Sequence, residues 1–395
     1  MELKEYTVEE LVNNNMIEKP IDGNHGNKHP KSSDYVEIGI PFIMVSDINN
    51  GRINYNTCKF ITEEQRNVLD KGFSRKGDIL LSHKATIGVT CIVDDLYPEI
   101  VITPQLTCYR IKNGINKYYL KYYFDSPYFQ NILKNWATSG STRAYLGITA
   151  QLKLPILLPE LEIQNKISKI LSLIDRKIEL NMHTNNNLQE LLLSQYKLYF
   201  ENKESNGKLK DIVEKMNRTI KKDKINKILK YYPIDVLPKN NIVLQDGKNI
   251  EEAQSSLIEF NKNEILVGAM RVYFHRVCLT NSSGITRNTT FVLKPKKEDY
   301  LYYALLTLYQ DSFIDYASIT SKGTTMPYAV WENVCSEFDI YIPTEEELED
   351  FNIICKSIIN KMNINQAENQ NLGQIRDTLL PKLMNGEIDL DKVEI

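Results

Sequence analysis

Two stretches of helical spacing, each about 40 residues long and lying roughly half the chain apart, limit this sequence more than any other feature. In the first, a seam runs from Ile163 through Ile167, Ile170, Ile174 and Ile178 to Leu188, Leu192 and Tyr199 at intervals built from threes and fours. The second runs from Leu348 through Phe351, Cys355, Ile358 and Met362 to Leu372, Ile375, Leu379 and Leu383 in the same way. That is coiled-coil spacing. At 1.5 Å per residue each helix would span roughly 60 Å, a length better suited to a ruler than to a core helix. Both seams carry a polar interruption near the middle, since Asn181 and Asn185 precede Asn365 and Asn369 by 184 residues. If the helices pack antiparallel about a pseudo-twofold axis, these asparagines face each other and pin the register. In the other reading, "NMHTNNNLQE" and "NINQAENQNL" are merely solvated turns.

The repeat is not confined to the helices. "GDIL" at 77–80 is answered by "NEIL" at 263–266, "GSTRAY" from Gly140 by "GTTMPY" from Gly323, and "LPILLP" ending at Pro159 by "FDIYIP" ending at Pro343. Landmarks in one order at a nearly constant offset indicate a duplication. Each half reads as a mixed α/β segment followed by a long helix. "PFIMVSDI", "DILLSHKATIGVTCIV" and "NEILVGAM" resemble strands, whereas "YYLKYYFDSPYFQNILKNWA", broken at its proline, and "YLYYALLTLYQDSFIDYA" resemble helices. The polar stretch "FENKESNGKLK" (200–210), with Gly207, reads as a linker between the halves.

A chain of 395 residues suffices for two or three domains with their own cores. Six cysteines without C-x-x-C spacing suggest reduced, semi-buried small hydrophobes. No run of eighteen apolar residues occurs and "MELKEYTVEEL" is not a signal peptide, so the expected location is the cytoplasm, without a membrane partner. The net charge of −3 conceals an asymmetry, because residues 341–395 hold 11 acidic and 5 basic residues while residues 206–340 hold 16 and 19. A local basic surface is therefore compatible with the total.

Catalytic signatures are weak. "DSPY" (125–128) approaches the loop with which adenine methyltransferases hold a flipped base, but the second proline and a glycine-rich loop for S-adenosylmethionine are missing. Ser126 followed by Pro127 is better explained as a helix start. "DRK" (175–177) could pass for a magnesium-binding nuclease triplet, yet it lies in the helical pattern and reads as a solvated flank. There is no P-loop. "HGNKH" (25–29) reads as a surface loop without metal partners. What remains is a set of polar and basic loops suited to DNA: "GNHGNKHPKSS" (23–33), "SHKAT" (82–86), "TSGSTRAY" (138–145), "GAMRVYFHR" (268–276), "GITRNTT" (284–290) and "TSKGTTMPY" (320–328).

The sequence resembles the specificity subunits of type I restriction-modification systems. "LGQIRDTLLPKLMNGEI" is similar to that family's closing signature L-x-x-x-R-x-x-L-L-P-x-L-x-x-G-x-[IL]. "LKLPILLPELEIQNKISKIL" with "IDRKIELN" resembles its central region, where Pro159 and Gln164 match a Pro-x-x-x-x-Gln pattern. "GIPFIMVSDINNGRI" and "KGDILLSHKATIGV" resemble segments of its target-recognition domains. The second helix start departs from the pattern, with Leu348 where the first has Gln164 and acids around it.

The resemblance implies an α+β chain with two mixed α/β target-recognition domains, at 1–155 and 204–343, and two antiparallel spacer helices, at 156–203 and 344–395. It further implies a non-catalytic reader of a split asymmetric site on double-stranded DNA. Two modification subunits with S-adenosylmethionine would methylate adenine, and restriction subunits with ATP and magnesium would translocate and cleave. This chain would itself hold no cofactor or metal. Loop chemistry nominates Lys84, Arg143, Arg271, Arg287 and Lys322 as DNA contacts. The alternatives are a methylation-only complex, a stand-alone methyltransferase, and a coiled-coil adaptor that binds no DNA.

Overall fold

The computed structural model describes residues 2–138 and 144–390. Two compact units divide the chain, Met1–Arg176 with Gly373–Ile395, and Lys177–Leu372. Two 40-residue helices, Leu161–Phe200 and Glu345–Met384, each run on from one unit into the other. The division thus falls inside the long helices rather than at their bases.

In the first unit, the strand Ile79–Lys84 turns back through Ala85 into Thr86–Ile92, and Leu106–Tyr109 pairs along its other edge. A second sheet joins Lys59–Ile61, Ile40–Ile43, Ile100–Ile102 and Phe73–Ser74 in that order. The runs "ILL" and "IVI" are buried along their whole length, as strands covered on both faces must be. Against the hairpin pack the helices Lys117–Asp125 and Pro127–Thr138. Ser126 separates them, its Oγ accepting from the Phe129 amide at 3.3 Å. "DSPY" is therefore a joint between helices, and its Asp125 is tied to Lys121 at 2.7 Å.

The second unit repeats this plan at a fixed offset. Strands at Ile100, Leu106 and Pro155 recur at Gly284, Thr290 and Asp339, and helices at Lys117, Pro127 and Leu161 recur at Leu301, Asp311 and Glu345, always 184 residues on. "YLYYALLTLYQDSFIDYA" forms two helices, Leu301–Leu308 and Asp311–Ile319, with no proline at the break. Gly207 does not belong to a free linker. The strand Gly207–Lys208 pairs with Asp339–Ile340, and a Cβ on Gly207 would lie 2.2 Å from Ile342 Cδ1. All six cysteines are free and buried.

The matched motifs have physical roles at the helix ends. Gln164 is buried; its Nε2 donates to the Pro159 carbonyl at 2.9 Å and its Oε1 accepts from the Asn116 amide at 2.9 Å. It thereby ties the start of the long helix to the preceding strand and to the cap of Lys117–Asp125. In the second copy Leu348 fills that place as a core residue, and a capping box takes over the start of the helix. Thr344 Oγ1 accepts from the Glu347 amide at 3.3 Å, and Glu347 accepts from the Thr344 amide at 2.9 Å. Bonds from Lys203, then from the Thr344 amide, pull the Glu347 carboxyl down to about 2. The crowded acids Glu345, Glu346 and Glu347 occupy the first turn, where the helix dipole favours negative charge.

The seams are antiparallel within each unit. In the first, Arg376 of the closing signature donates to Asp175 at 3.0 Å, and Tyr122 Oη donates to the same carboxylate at 2.6 Å. Asp175 is thus a bonded seam residue, not a solvated flank. Gly386, at φ +73°, ends the helix in the left-handed conformation that glycine tolerates.

In the second unit Asn181 Nδ2 donates to Asn369 Oδ1 at 2.9 Å and to Glu368 at 2.8 Å. Asn365 Nδ2 donates to Asn185 Oδ1 at 2.8 Å, and Asn185 Nδ2 donates to the Met362 carbonyl at 3.0 Å. Because Asn365 is buried, Asn185→Leu strands its amide and is expected to cost about 1–3 kcal/mol. Asn185→Leu with Asn365→Leu should cost less than Asn185→Leu alone. Urea denaturation of both single variants and the pair measures the coupling, and strict additivity would contradict it.

Candidate nucleic-acid interface

In both units a later segment of the chain lies alongside the tip of the central hairpin. In the first, Ala85 turns the chain at φ +64°, and the segment Ala144–Leu146 lies alongside. The Ala85 amide donates to the Ala144 carbonyl at 3.1 Å and the Leu146 amide to the His83 carbonyl at 2.9 Å. Lys84 is exposed, with its Nζ 5.9 Å from the centroid of the exposed Tyr145 ring. Beneath them lies a buried polar chain in which Gln151 Nε2 donates to Thr107 Oγ1 at 3.0 Å and Thr107 Oγ1 meets His83 Nδ1 at 2.7 Å. Tyr109 Oη closes the chain by donating to Gln151 Oε1 at 2.8 Å. Burial pushes the His83 imidazole down to about 4, so the ring is neutral near pH 7.

In the second unit Arg271 occupies the left-handed turn at φ +49°. Its amide donates to the Pro327 carbonyl at 2.7 Å, while the Ala329 amide donates to the Ala269 carbonyl at 2.8 Å. Lys322 and Tyr328 exchange backbone hydrogen bonds at 2.9 Å each, closing the loop that holds Gly323 at φ +92°. Lys322 and Tyr328 are both exposed. Arg271, Lys322 and Tyr328 are therefore assembled at one tip. Arg287 ends the strand Gly284–Arg287 of the other sheet.

Among the described residues, several arginines are neutralised by carboxylates: Arg66 by Glu99, Arg110 by Asp78, Arg218 by Glu264 and Arg376 by Asp175. Lys84, Arg271, Arg287 and Lys322 have no such partner there, and the Nε atoms of Arg271 and Arg287 are buried without an acceptor. A cation held in place without a counter-charge is available to an anionic ligand such as a phosphate or to a guanine edge. Arg143 lies outside the described residues. "HGNKH" is more structured than a plain surface loop, since its Gly26–Lys28 segment is a 3₁₀ turn and His25 Nε2 lies 2.7 Å from Asp22. No set of three or more His, Cys, Asp or Glu suited to a metal ion occurs among the described residues.

Tyr145 and Tyr328 end both the repeated landmarks and two of the polar loops, but loop chemistry did not nominate them as DNA contacts. Their shared place in the repeat was the available signal.

Residues 9–190 match the family model described as type I restriction modification DNA specificity domain. The MjaIX specificity subunit of Methanocaldococcus jannaschii is 25% identical over 92% of this chain and 90% of its own length. Over most of its length the chain is thus similar to the specificity subunits of type I restriction-modification systems. The HindI specificity subunit of Haemophilus influenzae is 31% identical over 28% of this chain and 24% of its own. A type I restriction-modification S subunit from M. genitalium shares the fold, with TM-score 0.58 and 14% identity over 97% of this chain and 96% of that one. Binding residues are commonly carried on loops held by a rigid scaffold, and the two hairpin tips have that character. No helix among the described residues is long and apolar enough to cross a membrane.

Proposed function

We propose that this chain is a specificity subunit that reads a bipartite, asymmetric site on double-stranded DNA, one half-site per unit, and itself performs no chemistry. The observation that carries this reading is the repeated hairpin tip with uncompensated cations, Lys84 in one copy and Arg271 with Lys322 in the other. Arg287 and Arg143 complete the proposed contacts. The target-recognition domains are 1–155 and 204–343, and the helical segments 156–203 and 344–395 set the distance between half-sites. Asn181, Asn185, Asn365 and Asn369 fix the register of the helix pair.

Two modification subunits, supplying S-adenosylmethionine and adenine methylation, dock on the chain. Restriction subunits with ATP and magnesium act on the assembled complex in the cytoplasm. Leu173, Leu180, Leu191 and Leu198 are exposed along one long helix at intervals of seven, eleven and seven, and such apolar stripes favour a protein partner.

Selection from a random DNA library by the complex with its modification subunit tests the reading. A two-part consensus with a fixed gap is expected, and a single uninterrupted consensus or none would contradict it. In the same assay Arg271→Ala should cost about 1–3 kcal/mol on the cognate site and relax base choice in one half only. Equal relaxation of both halves would remove Arg271 from the reading role.

A further inference from the structure

We propose that Tyr145 and Tyr328 are a repeated pair of DNA-contact residues, each laying its ring against the sugar–phosphate backbone of the half-site bound by its own unit and contributing affinity rather than sequence choice. The inference rests on the DNA-reading function proposed above. The two residues end the related motifs "GSTRAY" and "GTTMPY", 183 residues apart. Each is bridged through its backbone to the hairpin, Tyr145 to Lys84 and Tyr328 to Met270 and Lys322. Their exposures are nearly equal, 47% and 48%. Of the exposed aromatic side chains among the described residues, these two coincide on the repeat. Tyr118 and Tyr128 are matched 184 residues on by half-buried Tyr302 and by Ser312, Trp136 by Thr320, and Tyr273 stands where the first hairpin has half-buried Ile87.

Comparison of the two tips indicates what the tyrosine does. Around it the charges are rearranged, since Lys84 is replaced by Met270 at the bridge and Ala85 by Arg271 at the turn. Two units that read different half-sites need different base-reading groups, so a group present in both is suited to what the half-sites share. That common element is the sugar–phosphate backbone, whose contacts position a protein on the duplex and carry no sequence information directly. A tyrosine on a fixed backbone has two side-chain torsions to order, which keeps the entropic cost of contact low. In the first unit the ring is further steadied by His83, whose centroid lies 5.8 Å away.

The test uses the chain assembled with its modification subunit and a duplex carrying the methylated motif, in an equilibrium binding assay with hydroxyl-radical footprinting. Tyr328→Ala and Tyr145→Ala should each weaken binding about fivefold or more, the scale on which truncating a contributing interface side chain is felt, with the consensus unchanged. Each should thin the footprint over a different half-site. Tyr328→Phe and Tyr145→Phe keep the ring and should bind within about twofold of the parent by the same measure. Binding by the alanine variants equal to the parent would overturn the inference. So would a loss in the phenylalanine variants as large as in the alanine variants, or a changed consensus. Thermal melting of each variant complex separates loss of contact from loss of fold. If the parent complex protects no bipartite site, the DNA-reading function fails; if it does and the variants match it, only this inference fails.

Discussion

Arg110→Ala is expected to destabilise the first unit by about 3–5 kcal/mol, because it leaves a buried carboxylate without its counter-charge. Asp78 is 3% exposed and Arg110 21%; the guanidinium donates from Nε at 2.8 Å and from Nη2 at 2.7 Å, one bond to each carboxylate oxygen. Without it, Asp78 retains the Arg75 amide at 2.8 Å, which is too little to offset desolvation of the charge. Arg110 Nη2 also donates to the Phe73 carbonyl at 3.2 Å, so the second sheet loosens with the first. Combining Asp78→Ala with Arg110→Ala, which removes both charges, should be milder than Arg110→Ala alone. Urea denaturation gives the magnitude, and amide exchange in Ile79–Lys84 and Leu106–Tyr109 gives the location. A loss below about 1 kcal/mol, the range of a surface pair, would contradict the argument.

The second large effect is a dependence on acid. With its imidazole held near 4 by burial, folded His83 stays neutral while the unfolded chain binds a proton below about 6.5. Between these values the unfolded state carries more protons, so stability is full above about 6.5 and falls as pH is lowered towards 4. The shift corresponds to a loss on the order of 3 kcal/mol over that window. The Thr107 hydroxyl accepts from Gln151 and shares a hydrogen bond with His83 Nδ1, whereas Nε2 is buried without a partner, so protonating the ring adds an N–H that finds no acceptor. His83→Asn should flatten the slope between pH 6.5 and 4 relative to the parent while leaving that below 4 similar. Parallel curves across the whole range would show that His83 is not the group responsible. Since the His83 carbonyl holds Leu146 beside Tyr145, amide exchange at Leu146 should quicken first in acid.

The sequence made the duplication legible because both periodicities survive in it. The three-and-four spacing marks the long helices, and the landmarks around Asp78 and Glu264 mark the hairpins. The chemistry inside those landmarks was harder to see. Asp78 and Glu264 occupy the same position in the repeat and accept from the amide three residues back, Arg75 at 2.8 Å and Asn261 at 2.8 Å. Their arginines come from different elements, Arg110 after the strand Leu106–Tyr109 and Arg218 before the strand Thr219–Ile220. At the repeat position of Arg110 stands exposed Lys294. A salt bridge that moves its basic partner to another strand leaves no fixed spacing to find. Asp175 was misread for a related reason, as its partners Tyr122 and Arg376 are distant in sequence.

At the candidate site, loop chemistry picked out Lys84, Arg271 and Lys322, which lie at hairpin tips. It could not foresee that Arg287 ends a strand of the other sheet, because nothing local in "GITRNTT" fixes which sheet the strand joins. Composition also favoured charged residues over aromatic ones. Tyr145 and Tyr328 stand out only when both copies are compared at the same place in the fold.

The central claim is that this chain is a two-part reader of DNA whose chemistry resides in its partners. Its most direct test is to express the chain with its modification subunit in a host lacking DNA methylation and to map modified adenines across the genome. One motif is predicted, made of two specified halves separated by a gap of fixed length, with no modification when either subunit is absent. A contiguous motif, a gap of variable length, or modification by this chain alone would contradict the account.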